Sequence, residues 1–160
     1  MNKMSLALHL ASEWHDGQVD KAGKPYILHP LNLAMQFKDN EEFFCIAMLH
    51  DVVEDSDVPI NKIYDNFGKI IGDGVAVLTH KKEDSYFDYI VKVKYSPWSE
   101  IKIADLKHNI DILRLNTIIN MKDYYRFKKY QLSYLYLTSE IGMKTYLDEM
   151  EQLNRERKKI

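Results

Sequence analysis

The chain has 160 residues, 46% of them hydrophobic, and a formal net charge of −2, long enough for one domain with a real core and too short to suggest two. No long Lys/Arg block precedes the tail, so a nucleic-acid scaffold is not favoured, while small phosphorylated ligands remain open. The single cysteine, Cys45 beside Phe43, Phe44 and Ile46, excludes a disulfide framework and a structural zinc cluster, and it fits a small buried apolar residue in a reducing compartment.

The N-terminus lacks the basic-then-apolar pattern of a signal peptide, and no apolar run is long enough to span a bilayer. A cytoplasmic protein with no membrane partner is expected. Leu6, Ala7, Leu10, Ala11 and Trp14 share a stripe that predicts a helix from about Ser5 to Trp14. His9 and His15 flank it and are left out of the site, since a helix-end histidine is commonly satisfied by a backbone carbonyl. Gly17 stops the helix, and 17–25 has loop composition. Pro30 suits the first turn of the next helix, so His29 falls at a helix start with its ring able to aim inward. That helix, about Pro30 to Phe37, buries Leu31, Ala34 and Met35, and Asp39–Asn40 supplies a break with capping chemistry.

Next comes the stretch around which the chain is organised, a helix from about Glu41 to Val53 with nearly continuous apolar residues from Phe43 to Leu49. It runs into His50, Asp51, Glu54 and Asp55; residues four apart share a helix face, which places His50 over Glu54 and Asp51 over Asp55. A short helix from Asp57 ends near Gly68, and an apolar stretch, Ile70 to Leu78, leads to Lys81 and Lys82, which either grip a phosphate or favour the helix dipole. Asp84–Ser85 caps a helix that ends near Pro97.

A helix from about Trp98 to Leu115 packs through Leu106, Ile110 and Leu113, with Asp105 and Asn109 four apart beside that face. A carboxylate so near the core needs a partner, which a metal ion or a Lys or Arg would supply. The last third is helical and aromatic, and Arg126 and Tyr130 are again four apart. The tail carries Met143, Leu147, Met150 and Leu153 on one stripe and ends in Arg155–Glu156–Arg157–Lys158–Lys159. It divides the chain into 1–140 and a C-terminal amphipathic helix, 141–160, packed on the domain or used between subunits of a homo-oligomer. With no convincing strand pattern, the fold class expected is all-α, a single compact helical bundle.

His29, His50, Asp51 and Asp105 together make two imidazoles and two carboxylates, a set suited to a divalent ion such as Mn, Fe, Zn or Mg. The order His, His–Asp, Asp is that of the HD-domain metal-dependent phosphohydrolases. The longer wording, Gly17 to Pro30, Leu49 to Asp55 and Ala104 to Asn109, resembles the hydrolase domain of the RelA/SpoT homologues and the stand-alone small alarmone hydrolases. The resemblance covers about Leu6 to Leu137. It implies an all-helical HD fold and Mn²⁺-dependent removal of pyrophosphate from the 3′ position of guanosine 3′,5′-bis(diphosphate), ppGpp, giving GDP.

Carried over by residue, the resemblance assigns His29, His50, Asp51 and Asp105 to the metal and Glu54 and Asp55 to handling the attacking water. It gives Lys21, Asn109, Arg126 and Tyr130 to the nucleotide. One departure concerns substrate: the usual purine-stacking arginine is replaced by Asp20, which can instead accept hydrogen bonds from a base edge. The alternatives are the same chemistry on another nucleotide, such as the phosphomonoester of NADPH or a modified or cyclic nucleotide, and a non-catalytic helical binding module. A binder acting through the basic tail would lose its partner in salt. No synthetase segment fits in 160 residues, so nucleotide synthesis is not expected.

Overall fold

The computed structural model describes residues 2–111 and 120–158. Leu113, Leu115 and Lys159, which enter the expectations above, lie outside the described residues. All regular elements among those described are α-helices, joined by loops with one isolated bridge between Val19 and Pro25. In chain order they are α1 (Lys3–Trp14), α2 (Leu28–Met35), α3 (Glu41–Leu49), α4 (Val52–Asp55), α5 (Ile60–Phe67), α6 (Lys69–Leu78), α7 (Tyr86–Lys94), α8 (Ser99–Ile110), α9 (Met121–Leu137) and α10 (Met143–Arg157). The all-α expectation holds, and no described helix is long and apolar enough to cross a membrane.

Helix α3 is the axis. Asn40 caps it by accepting the N–H of Phe43 at 3.1 Å, and every residue from Phe44 to Leu49 is buried. A helix buried all round must be contacted all round, and α1, α2, α6 and α8 surround it. Burying each of Ile46, Met48 and Leu49 stabilises the fold by about 1.5–3 kcal/mol. Cys45 belongs to this core, and burial raises its thiol to about 12, so it is inert.

Helix α6 approaches α3 closely at Gly74, where an added Cβ would lie 2.4 Å from Ile46 Cδ1. Ile46 is fully buried and has no room to retreat. Gly74→Val is therefore expected to lower unfolding stability by about 1–3 kcal/mol through overpacking; an unchanged denaturant midpoint would contradict this contact.

Three sequence expectations need correction. In α2, Leu33 and Ala34 are buried and Met35 is 53% exposed. The helix begins at Leu28, and once His29 and Pro30 face inward their i+4 neighbours are Leu33 and Ala34. In α10 the buried stripe is Tyr146, Met150 and Leu153, with Met143 and Leu147 exposed. Tyr146 sets that face because its ring stacks on Tyr136 at 4.7 Å and its hydroxyl meets Ser133 at 3.0 Å. The third correction is central to the site: the helix expected over Glu41 to Val53 stops at Leu49, and a new turn starts at Val52.

Candidate metal centre and adjoining cleft

The interruption at His50–Asp51 follows from their hydrogen bonds. His50 Nδ1 donates to the carbonyl of Ala47 at 2.8 Å, three residues back. Asp51 takes φ −97° and ψ −8°, and its carbonyl accepts the N–H groups of Glu54 at 3.1 Å and Asp55 at 2.8 Å to start α4. Asp51 and Asp55 still share a side, meeting at the Tyr26 hydroxyl, whereas His50 turns toward Asp51 and His29, and Glu54 toward the backbone N–H of His80.

His29, in the first turn of α2, is 6% exposed and His50 is 1% exposed. One ligand atom each from His29, His50 and Asp51 lie within 4.8 Å of one another. Asp51 Oδ2 is 3.5 Å from His29 Nε2 and 3.0 Å from His50 Nε2. Asp105, on α8, is outside that trio but brings Oδ1 to 3.2 Å from His29 Nε2 and 3.8 Å from His50 Nε2.

The tautomer of His50 matters here. Donation from Nδ1 to Ala47 leaves the lone pair of the neutral ring on Nε2. This Nε2 is buried and makes no aligned hydrogen bond among the described residues, despite its closeness to Asp51. An orphaned buried nitrogen among converging carboxylates is what a divalent cation satisfies, so the residues fit a metal.

The electrostatics agree. Burial alone would push the Asp51 and Asp105 carboxyls up, but His50 beside Asp51 and Lys102 beside Asp105 hold both well below the usual range. Burial would lower His50, yet Asp51 and Asp105 raise it to about 10. Without an ion the two carboxylates thus draw protons onto His29 and His50, the positive charge that a divalent cation would replace.

Several supporting residues were not assigned from sequence. Lys102 Nζ bonds Asp105 Oδ2 at 2.7 Å, and Asn109 Nδ2 donates to Asp105 Oδ1 at 2.6 Å. Asp105 therefore has the lysine partner that sequence alone offered as one of two options. His108 lies across from His29, Nδ1 to Nδ1 at 2.7 Å with the rings stacked. Lys102 and His108 stand at −3 and +3 from Asp105, a helical spacing that could have found them, as it found Asn109 at +4.

Tyr26 is the other omission: its hydroxyl reaches Asp51 Oδ2 at 2.5 Å and Asp55 Oδ2 at 3.1 Å. It lies three residues before His29, inside the quoted motif. A residue that orients a ligand typically changes metal affinity or activity by about 10–100-fold when lost. Tyr26→Phe is expected to weaken Mn²⁺ binding within that range in a calorimetric titration, and unchanged affinity would make the hydroxyl a packing contact only.

His15 also departs from expectation. It is buried, and Nδ1 meets the side-chain oxygen of Gln18 at 2.8 Å in place of a backbone carbonyl. Gln18 in turn donates to the carbonyl of Asp55 at 3.0 Å, tying the 17–25 loop to α4.

Beside the cluster lies a cleft of about 400 Å³ whose lining includes Lys21, Asn109, Arg126 and Tyr130, together with Asp20, Tyr26 and Asp55. The four residues expected to meet a nucleotide are thus brought to one place. Asp123, missed from sequence, organises two of them: its buried carboxylate holds Lys21 Nζ at 2.5 Å and Arg126 at 3.3 Å. Asp20 has a structural task, since Oδ1 accepts the N–H groups of Ala22 at 2.8 Å and Lys24 at 2.9 Å and braces the loop around Gly23, whose φ is +74°. Lys81 and Lys82 line another cleft, of about 820 Å³, whose walls include Glu54 and Asp55.

The comparisons with known proteins accord with this geometry. Over 72% of its length the chain is 28% identical to a Mycoplasma pneumoniae protein named probable guanosine-3′,5′-bis(diphosphate) 3′-pyrophosphohydrolase, of which it covers 19%. It is 31% identical over 90% of its length to the guanosine-3′,5′-bis(diphosphate) 3′-pyrophosphohydrolase of Borreliella burgdorferi, covering 24% of that protein. Against a GTP pyrophosphokinase of Streptomyces coelicolor the values are 27% identity, 96% of this chain and 19% of the relative. The chain thus spans about a fifth to a quarter of the length of these curated relatives. No protein-family model matches it.

A solved structure described as a metazoan ortholog of SpoT that hydrolyzes ppGpp and plays a role in starvation responses superposes with a TM-score of 0.71. It covers 98% of this chain and 96% of its own, at 23% identity, which shows the shared fold. By fold and by sequence together, the chain is similar over most of its length to the SpoT/RelA-type HD domain.

Proposed function

We propose that the chain is a metal-dependent nucleotide phosphohydrolase that removes pyrophosphate from the 3′ position of ppGpp. The observation that carries this reading is the convergence of His29, His50 and Asp51 on one buried point, beside a cleft lined by Lys21, Asn109, Arg126 and Tyr130. The names of the sequence relatives supply the substrate class. Mn²⁺ is the ion proposed; His29, His50, Asp51 and Asp105 would hold it.

The chemistry such an ion supplies is Lewis acidity toward phosphoryl oxygens and acidification of water. The protein does the rest. Asp55 faces the nucleotide cleft and shares the Tyr26 hydroxyl with Asp51, so it is placed to orient water and take its proton. Burial and the neighbouring Asp51 raise the Asp55 carboxyl, which makes it a better base. Glu54 is raised mainly by burial as well, but it accepts the N–H of His80 at 3.0 Å and serves from the far side. Lys21 and Arg126, steadied by Asp123, meet the charge that develops on the phosphoryl oxygens.

This division of labour separates the two acids. Asp55→Asn is expected to lower kcat by about 10²–10⁴-fold, the usual weight of a general base, and Glu54→Gln by less; the reverse order would exchange their roles. The test of the function itself is turnover with Mn²⁺, and then with chelator, on ppGpp beside NADPH and ordinary nucleotides. Pyrophosphate release from ppGpp alone supports the reading. Phosphate release from NADPH or another nucleotide would keep the site and replace the substrate, and silence throughout would leave a non-catalytic module.

A further inference from the structure

A second cleft, of about 270 Å³, lies between α9 and α10 and shares Lys21, Arg126 and Tyr130 with the first. Lys122, Lys129 and Arg157 complete its charged lining, so five cations and no carboxylate line it among the described residues. Among the described residues, Asp123 engages two of them, Lys21 and Arg126.

Lys129 is the group that most needs an explanation. Its Nζ lies 4.0 Å from the Tyr86 ring centre and 5.2 Å from that of Tyr130, and no carboxylate pairs with it among the described residues. Burial and the neighbouring Lys102, Arg157 and Arg126 depress its ammonium to about 8. Arg126 adds a buried Nε that has no hydrogen-bond partner among the described residues. Like charges crowded at this cost, with donors unspent, call for an anion.

We propose that this cleft, through Lys129 and Arg157, binds the second phosphate-bearing arm of a nucleotide whose 3′ arm is hydrolysed at the metal centre, and so selects substrates phosphorylated at both ends. The inference rests on the hydrolase reading above. Continuity of the two clefts through Lys21, Arg126 and Tyr130 lets one ligand occupy both. Lys129 and Arg157 then act on specificity and do not touch the reacting phosphorus.

The test compares ppGpp with guanosine 3′-diphosphate, which carries no 5′ phosphate. Lys129→Met and Arg157→Gln are each expected to raise KM for ppGpp about ten-fold, the loss of one charge-assisted contact. KM for the shorter nucleotide and kcat for both should move little, and Lys129→Arg should restore discrimination. Equal effects on the two nucleotides, or a fall in kcat without a change in KM, would overturn the proposal.

Binding of inorganic pyrophosphate to chelator-treated protein, followed by NMR shifts, gives an independent arm. Wild type should bind at the α9/α10 cleft and Lys129→Met should bind about ten-fold more weakly. If neither nucleotide is turned over but pyrophosphate still binds there, the hydrolase reading fails and the anion site stands. Absence of pyrophosphate binding at this cleft in wild type would overturn the anion site.

Discussion

Asp51→Asn is expected to leave the helical fold intact and to remove ion-dependent turnover, by on the order of 10³-fold or more, beyond what loss of an orienting residue costs. The reasoning starts from position. Asp51 Oδ2 lies 3.0 Å and 3.5 Å from the two histidine Nε2 atoms and receives the Tyr26 hydroxyl. An amide keeps the shape and can still meet that hydroxyl, but it brings no charge to the ion and offers one ligating oxygen. Circular dichroism should match wild type while Mn²⁺-dependent hydrolysis disappears. Full metal-dependent activity in Asp51→Asn would mean that the ion sits elsewhere.

The second large effect concerns Lys102, which reports on charge balance. Its side chain is 13% exposed and pairs with Asp105, 4% exposed, at 2.7 Å. Removing one partner of a buried pair leaves an uncompensated charge and costs about 3–5 kcal/mol. Lys102→Met should therefore unfold well below wild type when metal is chelated. Because Asp105 also faces the proposed ion, Mn²⁺ should restore more stability to the variant than to wild type. Equal thermal shifts in the two proteins would show that Lys102 and the ion do not share Asp105.

The helices were legible because their signals are local. The apolar run from Phe43 to Leu49, the cap at Asn40, Gly68 at φ +82° ending α5, and the cap at Ser85 each act within a few residues. The candidate metal cluster was legible for a different reason: imidazole and carboxylate types are costly to bury, so their presence beside apolar runs points to a partner.

What was not legible depends on how helices rotate against one another. The break at His50–Asp51 arises because an imidazole takes a helical carbonyl, and no spacing rule announces that. The face of α10 was misassigned because Tyr146 meets Tyr136, on α9, and only the packed structure brings those rings together. Asp123 and Lys21 are 102 residues apart, so their pairing could not be read from either neighbourhood. Asp20 read as an unusual substrate contact because its Asx-type bonds to Ala22 and Lys24 depend on the turn made by Gly23.

The claim on which the rest depends is that one divalent ion is held by His29, His50, Asp51 and Asp105, and anomalous diffraction from Mn²⁺-soaked crystals tests it most directly. The predicted result is a single strong manganese peak between the two histidine Nε2 atoms and the Asp51 and Asp105 carboxylates, absent in Asp51→Asn. A peak elsewhere, or none at this cluster in crystals of protein that shows Mn²⁺-dependent turnover, would contradict it.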